Sequence, residues 1–125
     1  MSKIKYELEI PIHASPSMLY QYISSPSSME EWFADKVNSR GKIMTFEWDG
    51  NEEKAEVVIK KADEKIKYKW LESDDDSFFE IKIQVHALTK DVSLIITDFA
   101  YEDEIQESKQ LWENQIEELK HTIGA

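Results

Sequence analysis

Apolar and charged residues alternate near the start of the chain. Ile4, Tyr6, Leu8 and Ile10 are apolar, and each residue between them is charged. A period of two residues is typical of a β-strand that buries one face and exposes the other. The pattern therefore predicts a half-buried first strand.

Two short helices are predicted after this strand. Ser15 is followed by Pro16. The serine hydroxyl can cap a helix, and proline is favoured in the first turn of a helix. Apolar residues then recur at helical spacing as far as the serine-rich stretch around Pro26. A second short helix follows this break, with Ser27 or Ser28 as its cap and two glutamates in its first turn.

The alternation returns after residues 34–41, which we interpret as a loop. Asp49-Gly50 is a strong hairpin signal because both residue types tolerate a positive φ. Further turns are predicted at Asp63-Glu64 and at Lys90-Asp91. Consecutive strands without an intervening helix form an antiparallel meander. The predicted strands cover residues 44–48, 54–60, 65–70, 79–86 and 92–101.

The last segment has the periodicity of an amphipathic helix over residues 103–123. Asp103 and Gln106 have the spacing of a capping box, and Gly124 follows the last periodic residue. This helix is the one element long enough to cover the apolar face of the sheet. The sequence thus predicts a single α+β domain over residues 1–125, with a curved six-stranded antiparallel sheet wrapped around the C-terminal helix.

Charge and composition exclude several classes of function. Acidic residues outnumber basic ones by 26 to 15 and give a net charge of -11, so neither nucleic acid nor an anionic membrane surface is expected as a partner. The chain has no cysteine, which excludes disulfides, thiol catalysis and thiolate metal sites. No apolar run is long enough for a membrane span, and the alternating N-terminus is unlike a signal peptide. We expect a soluble, cytoplasmic domain.

Two segments resemble a known superfamily. SPSMLYQYISSPSSMEEWF, residues 15–33, has a capped helix, a short break and polar residues before Trp-Phe; the ending ITDFAYEDEIQESKQLWENQIEELKHTIGA adds a strand, an acidic turn and a long helix with a central Trp. With the element order, these resemble the helix-grip fold of the START and birch-pollen-allergen superfamily (SRPBCC). The branch that includes the C-terminal domain of the heat-shock chaperone activator is the most similar.

The resemblance implies a cavity between sheet and helix that binds apolar or amphipathic molecules such as lipids, sterols or polyketides. It places Trp32 and Phe33 at the mouth of this cavity. Strand parity independently puts most of the aromatic wall residues on one inner face. The alternative is that these side chains simply fill the core and leave no space. The predicted lining residues are Trp32, Phe33, Phe46, Trp48, Tyr68, Trp70, Phe79, Ile81, Ile83, Leu111, Trp112 and Ile116.

Candidate chemistry is sparse. Asp98 lies in an otherwise apolar strand; facing inward, it would be desolvated and could act as an acid, a base or a polar anchor. The face of the strand on which Asp98 lies is ambiguous, because two sets of apolar residues compete for the inner face. A bulge near Thr97 would reconcile the two sets. Asp98 would then mark that bulge or cap a backbone amide. Arg40 is a second candidate anchor, for a ligand carboxylate, although solvation in a loop is the simpler interpretation.

The remaining ionisable residues indicate no catalytic or metal site. His13, His86 and His121 fall at surface positions, and the run Asp74–Asp76 lacks the ligand spacing of a calcium loop and is interpreted as a solvated hairpin tip. Lys65, Lys67 and Lys69 are expected to pair with glutamates across strands. No metal or cofactor is predicted.

The sequence therefore predicts a small-molecule binding module rather than an enzyme. Two alternatives remain open. A protein-interaction domain similar to chaperone activators would have a filled interior and a protein partner, and a cyclase or hydrolase would need Asp98 to point inward. The oligomeric state and the identity of the ligand are left open by the sequence.

Overall fold

The chain folds as one antiparallel sheet packed against a long C-terminal helix. The computed structural model describes residues 2–73 and 75–125. Its elements are β1 (Ile4–Pro11), α1 (Pro16–Ser24), α2 (Pro26–Met29), β2 (Lys36–Arg40), β3 (Ile43–Trp48), β4 (Asn51–Lys61), β5 (Lys65–Trp70), β6 (Phe78–Val85), β7 (Val92–Ala100), a 3₁₀ turn (Glu102–Glu104) and α3 (Ile105–Ile123).

The seven strands are ordered β1-β7-β6-β5-β4-β3-β2, and all their pairings are antiparallel. The first strand therefore pairs with the last, and strands β2 to β7 form the meander. Because β1 and β2 occupy opposite edges, the two short helices between them must cross from one edge of the sheet to the other. This crossing places the segment after α2 close to α3, where Gln115 donates a hydrogen bond to the Phe33 carbonyl.

The prediction of six strands was wrong, because the segment interpreted as a loop contains β2. This edge strand buries a single apolar side chain, Val37, and its other residues are exposed and polar. The sequence of β2 therefore lacks the alternation of apolar and polar residues that predicts a strand. Its pairing with β3 is set by the turn at Gly41, whose φ of 61° lies in the left-handed region.

The signals at helix ends have mixed outcomes. Ser15 caps α1 by accepting a hydrogen bond from the Met18 amide at 3.2 Å, as predicted. The second helix begins at Pro26 rather than after Ser27 or Ser28, and no side chain caps it. The capping box of Asp103 and Gln106 is also wrong, because the 3₁₀ turn occupies 102–104 and α3 starts without a side-chain cap.

Turn residues behave as predicted. Asp49 and Gly50 have φ values of 50° and 82° between β3 and β4, and Asp63 and Lys90 also adopt positive φ at the later hairpins. Gly124 ends α3 with a φ of 74°. These backbone conformations fix the registers of the strands and therefore which side chains share a face.

The core lies between the inner face of the sheet, α1 and α3. Leu19 and Ile23 of α1 are fully buried, and α3 contributes Trp112, Ile116 and Leu119. The sheet supplies a dense set of aromatic and branched side chains, which the buried Tyr68 ties to α1 by donating a hydrogen bond from its hydroxyl to the Ile23 carbonyl at 2.8 Å. No buried side-chain polar atom in the described residues lacks a hydrogen-bond partner.

The outer face of the sheet is charged. The register sets Lys67 opposite Glu80 and Lys69 opposite Glu56, but the expectation of lysine–glutamate pairs is wrong for Lys65, which lies opposite Lys61 and Lys82. Lys69 forms its ion pair with Asp76, at 3.6 Å. Lys67 also places its ammonium 3.9 Å from the centre of the Phe78 ring. His13 and His121 are exposed, and His86 lies 3.3 Å from a Glu9 oxygen.

The acidic run at 74–76 is only partly visible. Asp74 lies outside the described residues. Next to it, hydrogen bonds from Ser73 and Ser77 hold the pKa of Asp75 well below its ordinary value. Across residues 2–73 and 75–125, no three His, Asp or Glu side chains converge as a metal site would require. Within the same residues, no helix is both long and apolar enough to cross a membrane.

Candidate functional site

A groove of about 470 Å³ opens between the N-terminal half of α3 and one end of the sheet. It lies where β3 turns into β4 and where the segment after α2 meets α3. Its walls combine aromatic and apolar side chains with several polar groups. The lining residues are Phe33, Trp48, Glu53, Asp98, Ser108, Leu111, Trp112, Asn114 and Gln115.

Phe33 forms the centre of the aromatic wall. Its ring centroid lies 5.4 Å from that of Trp48 and 5.8 Å from that of Trp112. Its backbone carbonyl accepts two hydrogen bonds, from Trp48 Nε1 at 2.8 Å and from Gln115 Nε2 at 3.0 Å. One backbone oxygen therefore joins the end of β3, the segment after α2 and helix α3, which fixes the shape of the groove.

Asp98 points into the interior from β7. Its register partner on β1 is Tyr6, which is buried, and β7 pairs with both neighbours without a register shift. The bulge considered near Thr97 is therefore absent. One carboxylate oxygen accepts a hydrogen bond from the Phe99 amide at 2.7 Å, and the other accepts one from Trp112 Nε1 at 2.7 Å.

Burial dominates the electrostatics of this carboxyl group. Desolvation raises the pKa of Asp98 above the ordinary value of 3.8, although the hydrogen bonds from Trp112 and Phe99 oppose the shift. Burial also raises the pKa of the nearby Tyr6 to about 12, and the Tyr6 hydroxyl shares a hydrogen bond with Ser108 on α3. Asp98, Tyr6, Ser108 and Trp112 thus form a polar cluster beside the apolar groove.

The predicted lining residues divide into three sets, and two of those that line the groove, Phe33 and Trp112, are also buried. Phe33, Trp48, Leu111 and Trp112 line the groove. Trp70 is half-buried, and the others lie in the core, where aromatic and branched side chains pack together. This buried group consists of Trp32, Phe46, Tyr68, Phe79, Ile81, Ile83 and Ile116. Whether any of the twelve touches a ligand stays a prediction.

Of the two predicted anchors, one lies in the groove. Asp98 lines it, whereas Arg40 is exposed and does not. Arg40 pairs with Ile43 at the start of β3, so it lies at the opposite end of that strand from Trp48. The position of Arg40 in a β-hairpin therefore agrees with a solvated side chain and not with a ligand anchor at this groove.

Sequence reasoning missed several polar lining residues that simple geometry indicates. Glu53 lies opposite Phe46 across the hairpin at Asp49-Gly50, so it shares the inner face with that ring. Ser108 precedes Leu111 by three residues and Gln115 follows it by four, so the three residues share one stripe of the helix. Pairing the two strands of the predicted hairpin identifies Glu53. Extending the apolar stripe of the helix by one turn identifies Ser108 and Gln115.

The family model of the START-like superfamily domain matches residues 1–125. The chain belongs to the START-like superfamily. Among curated proteins, no match to the chain was found. The resemblance inferred from the two sequence segments is therefore confirmed at the level of the superfamily.

Solved structures share the fold of this START-like domain. BfR322 from Bacteroides fragilis is 36% identical, with a TM-score of 0.70 over 98% of this chain and 93% of that chain. The Aha1 dimer from Colwellia psychrerythraea is 13% identical, with a TM-score of 0.78 over 94% and 93% of the two chains. DynU16, a putative protein in the dynemicin biosynthetic locus, is 14% identical, with a TM-score of 0.81 over 97% of this chain and 47% of that chain.

Asp98→Asn tests the electrostatics of the START-like domain directly. A folded-state pKa above the ordinary value means that the stabilisation is present at low pH and is lost as the pH rises through the folded pKa. Relative to the uncharged variant, the wild-type protein should therefore lose stability as the pH is raised from the ordinary pKa of aspartate to neutrality. Urea unfolding of both proteins across that range measures the difference.

The control is Asp103→Asn, which removes one negative charge at an exposed position. Its stability difference from the wild type should change less with pH than that of Asp98→Asn. A gap between wild type and Asp98→Asn that stays constant with pH, or that moves in the opposite direction, would show that Asp98 is not desolvated as its position indicates.

Proposed function

We propose that this START-like domain binds a hydrophobic or amphipathic small molecule, lipid-like or polyketide-like, in the groove between α3 and the sheet. The observation that carries the proposal is the lining of that groove, in which aromatic rings adjoin a cluster of polar side chains. Its volume of about 470 Å³ falls within the range of small-molecule sites, roughly 300–1,000 Å³.

Leu111 supports this proposal. It is 59% exposed in the middle of α3, yet it borders the groove beside Phe33 and Trp112. An exposed leucine alone needs no explanation, but one that continues an aromatic wall gives a ligand a larger apolar surface. The polar cluster around Asp98 would then hold the polar end of the ligand.

A change at Leu111 is the sharpest test. Leu111→Glu places a charge in the apolar wall without disturbing the core, and we expect it to weaken ligand binding by at least about tenfold. The matched control is Leu88→Glu, because Leu88 is 98% exposed in the β6–β7 turn, away from the groove.

Binding can be measured in two ways. Native mass spectrometry of gently purified protein would detect a retained molecule, and solvent extraction would give its chemical class. Tryptophan fluorescence during titration with fatty acids, sterols and flavonoids would report binding near Trp48 and Trp112. No retained molecule and no response to any of these probes would contradict the proposal, as would equal binding by the Leu111 and Leu88 variants.

The filled interior favours a second candidate, a protein-interaction domain. Phe33 packs against five aromatic rings, and nine of the twelve predicted lining residues are buried within the core. A domain of this kind would use its outer surface, as a co-chaperone does. A protein partner whose binding survives Leu111→Glu, together with no small-molecule binding, would favour this candidate.

A cyclase or hydrolase is the weaker alternative. The inward position of Asp98 meets its first requirement, but both carboxylate oxygens are held by donors from Phe99 and Trp112. An enzyme would need one of them released when the substrate binds.

A further inference from the structure

The groove has acidic charge without basic charge. Glu53 and Asp98 are the two carboxylates among its lining residues, and the others are aromatic, aliphatic or uncharged polar side chains. Neither carboxylate forms an ion pair with any residue in 2–73 or 75–125. A ligand in this groove therefore meets negative charge that the protein itself leaves unbalanced.

The basic group that acts on Asp98, Lys3, does not remove this charge. Lys3 lowers the pKa of Asp98, but burial has the larger and opposite effect. The Lys3 ammonium is 3.5 Å from an Asp75 oxygen, in an ion pair outside the groove. Asp98 is held instead by the neutral N–H groups of Phe99 and Trp112, which orient the carboxylate without cancelling its charge.

The aromatic walls add to the same preference. The faces of Trp and Phe rings carry partial negative charge and attract organic cations, most strongly when the cation is withdrawn from water. Phe33, Trp48 and Trp112 surround the groove, and the planes of Phe33 and Trp48 meet at 72°.

The two carboxylates reach the groove from different strands. Glu53 of β4 shares the inner face with Phe46, and Asp98 of β7 shares it with Tyr6. Strands β5 and β6 lie between them. Negative charge is therefore present on two sides of the aromatic wall, and the overall charge of -11 attracts cations toward the protein.

We propose that the groove selects amphipathic organic cations, that is, molecules with an ammonium head group and an apolar tail. This inference rests on the small-molecule binding proposed above and adds the charge of the ligand. The tail lies along Leu111 and the aromatic rings, and the head group lies near the carboxylates. A carboxylate or phosphate head group would meet repulsion from Glu53 and Asp98.

The test compares three probes with the same eight-carbon tail: octyltrimethylammonium, octanoate and octanol. Tryptophan fluorescence and calorimetry on the intact chain give the affinity of each monomeric probe. We expect the cation to bind at least about tenfold more tightly than octanoate, as charge complementarity in a partly desolvated site predicts. A neutral polar variant, Leu111→Asn, removes apolar surface from the groove without adding charge and shows whether each probe occupies the groove.

Two matched variants locate the charge that matters. Glu53→Gln removes a negative charge from a residue that lines the groove, whereas Glu52→Gln removes one from its neighbour on the opposite face of β4; both side chains are exposed, so the pair differs in position rather than in burial. We expect Glu53→Gln to weaken binding of octyltrimethylammonium by roughly threefold or more, since the site is partly exposed. Glu52→Gln should leave that affinity unchanged.

The outcomes separate the two proposals. Equal binding of all three probes, lost in the Leu111 variant, would retain the small-molecule site and overturn its selectivity for cations. Equal weakening by the Glu52 and Glu53 changes would show attraction by net charge alone and would also overturn it. Binding by none of the probes would contradict both proposals.

Discussion

Phe33→Ala is expected to lower the free energy of unfolding by about 3–5 kcal/mol, the range for truncating a large buried aromatic side chain. The Phe33 side chain is 5% exposed and lies at the centre of the aromatic core. Because its neighbours belong to four different parts of the chain, they cannot all move to fill the space that the ring leaves. The five rings around it are Trp32, Phe46, Trp48, Phe79 and Trp112.

Phe99→Ala is the matched control for this truncation. Phe99 is half-buried on the outer face of the sheet, where its ring lies 4.9 Å from that of Phe78. The same chemical change there should lower the stability by about 1–2 kcal/mol, because less apolar area leaves water on folding. Urea unfolding of both variants measures the difference. Similar losses in the two would show that Phe33 is not the centre of the core.

The meander could be predicted because its hairpins are specified locally. Asp49-Gly50 adopts the positive φ values that its residue types favour, and alternation on either side gives the faces of β3 and β4. The edge strand β2 could not be predicted in this way. It has only Val37 to bury, so its position follows from pairing with β3 rather than from its own pattern.

The orientation of Asp98 could not be decided from its own strand, since apolar residues occur at both parities there. The pairing of β7 with β1 and β6 resolves the ambiguity, because it places Leu94 and Ile96 on the inner face of the sheet. Asp98 lies two residues after Ile96 and therefore faces the same way. Ile95 and Phe99 are left on the outer face, half-buried. The sheet as a whole therefore sets a position that local hydrophobicity leaves undetermined.

Parity also could not distinguish a cavity wall from a filled core. It correctly grouped Phe46, Tyr68 and Phe79 on one face, but their ring centroids lie within 4.8–6.3 Å of one another, and no space remains between them. The volume left beside α3 depends on how Phe33 packs after α2. That packing is a property of the assembled fold, so the groove and its polar rim become visible only there.

The link between this groove and Asp98 can be tested through Trp112. Trp112→Phe keeps an aromatic ring but removes the N–H that donates to the carboxylate of Asp98 at 2.7 Å. Hydrogen bonds to charged groups contribute about 1.5–3 kcal/mol, and we expect a loss of stability in that range at neutral pH. The same change removes an interaction that lowers the pKa of Asp98, so the pKa should rise further.

Trp48→Phe is the control, because its indole N–H donates to the neutral carbonyl of Phe33, which keeps the hydrogen bond from Gln115. Its loss of stability should be smaller and nearly independent of pH. The loss caused by Trp112→Phe should instead shrink as the pH falls, because protonation of Asp98 removes the charge that needed the donor. Urea unfolding of both variants at several pH values decides the matter. If the Trp112 variant shows no greater pH dependence than the Trp48 variant, the indole does not stabilise a charged Asp98. The polar cluster would then have to hold a ligand through Ser108 instead.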